Sequence, residues 1–356
     1  MNVGKYSSAG TVPSGSDLFT IKANQSLGQA LDFYARKGNT ILGLPYQENT
    51  IYKSADGGST WSTISSPYYL AHIFYSSAED KFYALELGSE SVPETLHYGV
   101  STDGTTWTWN TLYENTTSSI HYYGTFIEDA DGSVAFDLLK VDATSGVTLS
   151  HIRVSTGGAE SLIGNAYTFS SSADTYPNFA VDSGKTNTTL VIEKWFVVGS
   201  SQATKQVTIG SWGVETESKY NANSYTSGVK CFDNFYYSNR VSASGGLYYT
   251  TYFYSPTSRT NTYTQYTSPS RSSADLSFVK YYGFFKLGNY YYMAYQSSNA
   301  TKWYRAGDIA TLIDVAVSDT FNKADLTGVP VSELSLDNKH FLLSMADGKV
   351  YLCEAT

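Results

Sequence analysis

A short turn appears twice in this chain of 356 residues. The first copy reads Ser-Ala-Asp-Gly-Gly-Ser-Thr-Trp, from Ser54 to Trp61. The second reads Ser-Thr-Asp-Gly-Thr-Thr-Trp, from Ser101 to Trp107. Each lies between runs that alternate apolar and polar residues. Thr50-Ile-Tyr-Lys precedes the first and Trp61-Ser-Thr-Ile continues from it; Leu96-His-Tyr-Gly-Val and Trp107-Thr-Trp-Asn-Thr-Leu flank the second. Alternation, turn, alternation is the pattern of a β-hairpin. The aspartate accepts bonds from turn amides, and glycine takes backbone angles closed to other residues. Asp56 and Asp103 stand 47 residues apart. A hairpin repeat of that period is the spacing of four-stranded propeller blades.

The same turn recurs in weaker form. Ser297-Ser-Asn-Ala-Thr-Lys-Trp303 aligns without a gap to the second copy, with Asn299 in place of aspartate. Ser344-Met-Ala-Asp-Gly-Lys-Val-Tyr351 is looser, and worn versions lie near Ser155, Ser200 and Ser255. Seven turns predict seven four-stranded blades, with six as the alternative. Composition agrees. The chain has 32 Tyr and 29 Gly and is only 15% charged, which favours strands and turns. Helical candidates such as Leu27 to Arg36 are short. Further hairpins are expected around Ala-Glu-Asp at 78–80 and around Gly288-Asn289. The expected fold is one all-β propeller over residues 18–356, after an N-terminal extension at 1–17. Closure is expected from Leu18-Phe-Thr-Ile-Lys joining the C-terminal strands, since an open fan would expose sheet edges.

The pattern S-x-D-x-G-x-T-W resembles the Asp-box, or BNR repeat, of sialidases and other propellers. The first copy matches at Ser54, Asp56, Gly58, Thr60 and Trp61; the second keeps Ser101, Asp103 and Trp107 and is one residue shorter. The resemblance implies a turn between the third and fourth strands of a blade, away from any catalytic face. Ser297, Asn299 and Trp303 are assigned to the same structural role.

Sialidase chemistry is not expected. That family's pattern needs three arginines on the substrate carboxylate, a tyrosine–glutamate pair, an acid/base aspartate and an F/Y-R-I-P motif. Only six arginines are present, and Arg36, the nearest in position, reads Tyr34-Ala-Arg-Lys-Gly. Asp129, Asp131, Asp137 and Glu193 lie in or near strands, but no pattern marks them as a glycosidase pair. The histidines and cysteines show no metal spacing, and neither a nucleophile elbow nor a phosphate-binding loop occurs. No catalytic residue, metal or cofactor is expected. Cys231 and Cys353 read as buried free thiols, with a ring-closing bridge as the other reading.

Net charge is −9, which opposes a broad nucleic-acid or anionic-membrane surface. No signal-peptide core and no run of about 18 apolar residues occurs, so cytoplasmic synthesis without membrane insertion is expected. The paired tyrosines, among them Tyr68-Tyr69, Tyr248-Tyr249 and Tyr290-Tyr291-Tyr292, suit packing between blades. Some at a rim would stack on sugars or a protein. The Ser/Thr/Tyr/Gly/Asn-rich, charge-poor composition resembles bacteriophage tail and fibre proteins. That resemblance implies a non-enzymatic structural or receptor-binding virion component, in a tail hub, nozzle or fibre. Its partners would be other tail proteins or a host-surface glycan or protein, within an oligomeric assembly. The alternatives are a carbohydrate-active propeller and a cellular protein-interaction propeller.

Overall fold

A computed structural model describes residues 18–87, 94–115, 120–128, 132–142, 148–168, 183–185, 190–198, 203–210, 213–219, 225–232, 235–242, 248–254, 266–267, 281–297, 300–308, 311–312, 326 and 330–356. Two compact units emerge: Leu31–Ser273, and Met1–Ala30 together with Ala274–Thr356. Among the described residues, regular structure is almost entirely antiparallel β. The short helix considered between Leu27 and Arg36 is absent; those residues lead into a strand.

In chain order, β1 (Phe19–Ser26) comes first and waits for partners at the other end of the chain. In the Leu31–Ser273 unit, β2 (Phe33–Lys37), β3 (Thr40–Leu44), β4 (Glu48–Ser54), β5 (Ser62–Ser76), β6 (Lys81–Glu86), β7 (Glu94–Ser101) and β8 (Thr108–Asn115) form one sheet in sequence order. The 15-residue β5 serves two meanders. Its start pairs with β4 from Ser62 to Ser65, and its end pairs with β6 from Leu70 to Ser76. β2 to β5 and β5 to β8 are therefore two successive four-strand runs.

The next sheet holds β9 (Ile120–Glu128), β10 (Val134–Asp142), β11 (Thr148–Ser155) and β12 (Glu160–Leu162), with β13 (Tyr167–Thr168) also on β11. Two more meanders follow. One is β14 (Ser183–Lys185), β15 (Leu190–Val198), β16 (Ala203–Gly210) and β17 (Gly213–Lys219). The other is β18 (Tyr225–Phe232), β19 (Phe235–Ser242), β20 (Tyr248–Tyr254) and β21 (Tyr266–Thr267).

The second unit holds β22 (Tyr281–Leu287), β23 (Tyr290–Ser297) and β24 (Ala300–Ala306), a three-stranded sheet. It also holds β25 (Pro330–Ser335), β26 (His340–Met345) and β27 (Lys349–Ala355). Here β1 adds beside β27, with Phe19 opposite Ala355 and Ser26 opposite Lys349. The N-terminal strand thus completes a four-stranded sheet with the last three strands of the chain. The Leu27 amide donates to the Gly348 carbonyl at 2.8 Å and fixes where β1 ends.

The packing explains why some strands lack the alternation of a half-exposed sheet. β3, β6 and β26 are each second in their meander, and nearly every residue of each is buried. Ile41-Leu-Gly-Leu, Phe82-Tyr-Ala-Leu and Phe341-Leu-Leu-Ser-Met are covered on both faces, so both faces are apolar. In the first unit, Phe126 and Phe136 meet at 4.9 Å amid Tyr98, Leu138 and Ile152. In the second, Trp303 is fully buried and meets Phe19 edge-on at 5.1 Å.

Candidate functional site

The first aspartate turn is a closed hydrogen-bond circuit between β4 and β5. Buried Ser54 donates its hydroxyl to Asp56 Oδ1 at 2.8 Å and accepts the Gly58 amide at 2.8 Å. Asp56 also accepts the Thr60 amide at 2.9 Å and the Thr60 hydroxyl at 2.7 Å. Trp61 folds back to donate its indole N–H to the Gly58 carbonyl at 3.1 Å. Gly57 and Gly58 have φ of 72° and 96°, which explains the glycine pair in sequence. Slight burial works to raise the Asp56 carboxyl, but the Thr60 and Ser54 bonds outweigh it and hold it below its ordinary value.

The second turn, between β7 and β8, repeats this circuit one residue shorter. Ser101 donates to Asp103 Oδ1 at 3.1 Å and accepts the Gly104 amide at 2.9 Å. Asp103 Oδ1 takes the Thr105 and Thr106 amides at 2.7 and 2.9 Å, and these bonds lower its pKa. Trp107 stacks at 6.0 Å on Trp109. Lys53 joins the two turns, donating to the Asp103 carbonyl at 2.8 Å and the Thr105 hydroxyl at 2.6 Å. The hydrogen bonds accepted by both aspartate side chains stay within their own turns.

The weaker copies divide into two sets. The Ser155 turn joins β11 to β12, closed by the Gly158 amide on the Ser155 carbonyl at 2.8 Å. The Ser255 segment falls between β20 and β21, at 255–265, outside the described residues. Both occupy the connection from third to fourth strand, as the two good copies do. The Ser297 copy differs. Ser297 pairs directly with Ala300, so only two residues turn the chain, and Asn299 lies outside the described residues. Trp303 does not open the returning strand. It sits mid-strand opposite Ala294 and faces the core. The register of β23 and β24 runs to the tip and leaves no room for a seven-residue loop. The Ser344 turn, between β26 and β27, and the Ser200 connection, between β15 and β16, likewise join second to third strands.

Of the carboxylates weighed for hydrolysis, the Asp137 side chain alone is among those described. Asp129 and Asp131 lie outside the described residues, as does the Glu193 side chain. Asp137 is fully buried on β10, gripped by Arg153 at 2.6 and 3.0 Å, with His151 Nε2 at 3.5 Å. Burial works to raise its carboxyl, but His151 and Arg153 outweigh it and keep it low. A carboxylate paired in this way inside a core ties β10 to β11. Cys353 is a buried free thiol pushed up to about 12 by burial. The Cys231 side chain lies outside the described residues. Among the described residues no cluster of His, Cys, Asp and Glu is arranged to hold a metal ion, and no helix is long and apolar enough to cross a membrane.

A cleft of about 340 Å³ opens in the unit that carries both chain ends. Its walls are two hairpin tips together with Ala355, which ends β27, and Thr356. Gly288 and Asn289 turn β22 into β23, and Asn338 and Lys339 turn β25 into β26. Asp337 stiffens the second tip by accepting the Lys339 and His340 amides at 2.7 and 2.8 Å and facing His340 Nδ1 at 2.8 Å. The tips touch. Gly288 has φ of +57°, and a side-chain carbon there would lie 3.0 Å from the Asn338 carbonyl. Ser335 also donates to the Lys286 carbonyl at 3.1 Å.

Tyr290 and Tyr292 line the cleft, Tyr290 being 43% exposed and Tyr292 buried. Burial raises the Tyr292 phenol. Arg305 lies behind them. Its guanidinium stands 4.8 Å from the Tyr290 ring centre and donates to the Thr356 carbonyl at 2.6 Å. Arg305 Nε is buried without a hydrogen-bond partner among the described residues. The lining thus combines an aromatic ring, two amides and the ammonium of Lys339. Among the described residues it includes no carboxylate side chain, imidazole or thiol. Such a lining offers aromatic, amide and ammonium groups to a ligand. The tyrosine run marked Tyr290 in the sequence. Asn289, Asn338 and Lys339 carried no signal beyond their turn chemistry. Of the other paired tyrosines, Tyr68 stacks on His97 at 4.3 Å, and Tyr69 is 60% exposed.

No protein-family model matches the chain, and no curated protein matches it in sequence. Solved structures do resemble it in shape. YCF48 bound to D1 peptide aligns over 97% of this chain and 98% of its own, with TM-score 0.55 and 10% identity. YCF48 from Cyanidioschyzon merolae aligns over 94% and 99%, with TM-score 0.52 and 11% identity. Hydrazine synthase from Kuenenia stuttgartiensis aligns over 93% and 97%, with TM-score 0.55 and 11% identity. The chain folds as an all-β propeller. At these identities the likeness is one of fold alone.

Proposed function

We propose that this propeller is a non-enzymatic binding protein, serving as a structural or receptor-binding part of a tailed-bacteriophage virion. The observation that carries the binding half is the cleft at Tyr290, Asn338 and Lys339, which offers an aromatic ring, amides and an ammonium as recognition groups. Composition supports the virion setting: a long chain rich in tyrosine, glycine, serine and threonine and only 15% charged. The two aspartate turns, read as Asp-boxes, belong to the scaffold. Partners are then neighbouring tail proteins or a host-surface glycan or protein. A net charge of −9 disfavours a nucleic-acid partner.

A second reading is a cellular propeller that binds proteins. It is favoured by the resemblance to YCF48, whose solved structure is described as bound to D1 peptide. Quantitative mass spectrometry of purified phage particles separates the two. The virion reading expects the chain in intact particles at a stoichiometric copy number. Its absence from particles, with recovery in a complex from the producing cell, would replace that reading with the cellular one. Release of sugar products from glycans mixed with the pure chain would overturn the non-enzymatic assignment.

A further inference from the structure

We infer that the cleft between the β22–β23 and β25–β26 tips binds a carboxylate-bearing sugar of the hexuronic-acid class, as one unit of an acidic polysaccharide. The inference rests on the binding reading above and names the ligand of the same cleft. Size comes first. At about 340 Å³ the cleft lies at the small end of ligand sites and suits a single ring-sized unit rather than a folded surface.

Charge comes second. Lys339 is an exposed ammonium in the lining, and the acids near it are engaged elsewhere. Asp337 holds His340, and Glu354 pairs with Lys22. Arg305, outside the lining, adds positive charge behind Tyr290, where it also donates to the Thr356 carbonyl. A carboxylate is the group that the Lys339 ammonium favours.

Polarity decides between a sugar and an acidic peptide. The amides of Asn289 and Asn338 each donate and accept, which matches vicinal hydroxyls that do the same. A glutamate or aspartate side chain only accepts, so it leaves the two amide oxygens without a donor. Tyr290 presents a partly open ring, and a sugar's apolar C–H face covers such a surface while its hydroxyls stay wet.

The test compares four probes by titration calorimetry with the full chain: oligomers of galacturonate and of glucuronate, the methyl ester of the first, and a tetraglutamate peptide. At least one of the two acid oligomers should bind. The methyl ester, which keeps the shape and loses the charge, should bind the chain about tenfold more weakly than galacturonate, or be undetectable if glucuronate is the ligand. Lys339→Gln should weaken the acid by a similar factor, and Tyr290→Ala should abolish binding. Both residues are exposed, so an unchanged urea midpoint confirms that the variants fold. Failure of both acid oligomers to bind overturns the inference. So does equal binding of acid and ester, or a peptide that binds as tightly as the sugar. If a glycan or tail protein binds but keeps full affinity in both variants, the binding propeller stands and only this ligand assignment falls.

Discussion

Replacing Asp56 by alanine removes three hydrogen bonds at once. Its carboxylate accepts the Ser54 hydroxyl, the Thr60 amide and the Thr60 hydroxyl, at 2.8, 2.9 and 2.7 Å. A protein hydrogen bond contributes about 0.5–1.5 kcal/mol net, and exposed ones fall at the lower end because water replaces the lost partner. Asp56 is exposed and Ser54 is buried, so the three together should contribute about 1–2 kcal/mol. Urea unfolding at neutral pH measures this, and hydrogen exchange at the Thr60 amide shows where the loss arises. A double-mutant cycle with Thr60→Val should return a coupling near 1 kcal/mol. Acid adds a second reading. The Asp56 carboxyl sits below its ordinary value in the folded chain. Its contribution is complete above the unfolded value of about 3.9 and is lost as pH falls through the lower folded value. The gap between wild type and Asp56→Asn should therefore narrow below about pH 4. An alanine variant with unchanged midpoint and unchanged Thr60 protection would refute the view that this circuit stabilises the turn.

Three further outcomes are expected. Gly348→Ala should cost at least about 2 kcal/mol and loosen β1 from β27; φ there is +79°, and the added carbon would meet the Gly28 backbone at 2.6 Å. Loss of Leu27 amide protection would report it, and a neutral effect on the urea midpoint would contradict it. Trp303→Ala should lower stability by about 3–5 kcal/mol, since the indole is fully buried against Phe19; a near-wild-type midpoint would deny its place in the core. Slight burial works to raise Asp337, but the Lys339 and His340 bonds hold it down at about 2. The β25–β26 tip should stay intact at pH 4 and loosen only as pH falls towards 2. Backbone amide shifts of Lys339 and His340 would show this, and loosening that began at pH 5 would count against it.

Much of the fold could be read from local chemistry. Ser54, Asp56 and the glycine pair specify a turn within eight residues, because every bond of the circuit closes inside that span. Alternation around Tyr52 and Tyr98 specified strands, and Gly288-Asn289 specified a hairpin. Local matching also misled. Ser297 to Trp303 carries the letters of the second turn, yet the pairing of β23 with β24 turns the chain in two residues and sends Trp303 into the core. Sequence similarity compares residues in line, whereas register depends on which face of the strand must be buried.

The sequence by itself determined the all-β class, the hairpin repeat and the geometry of the two aspartate turns, since each depends on neighbours a few residues apart. Tertiary structure alone decided the rest. It set the division of β5 between two meanders, the pairing of β1 with β27, and the partner of buried Asp137. It also assembled the cleft, whose walls come from positions 287–292, 338–339 and 355–356. No local pattern records that Asn289 and Asn338 will share a wall. Their meeting follows from the packing of whole hairpins, and the energy of that packing is spread over cores such as Phe19, Phe285, Trp303 and Phe341 rather than held by the residues at the site.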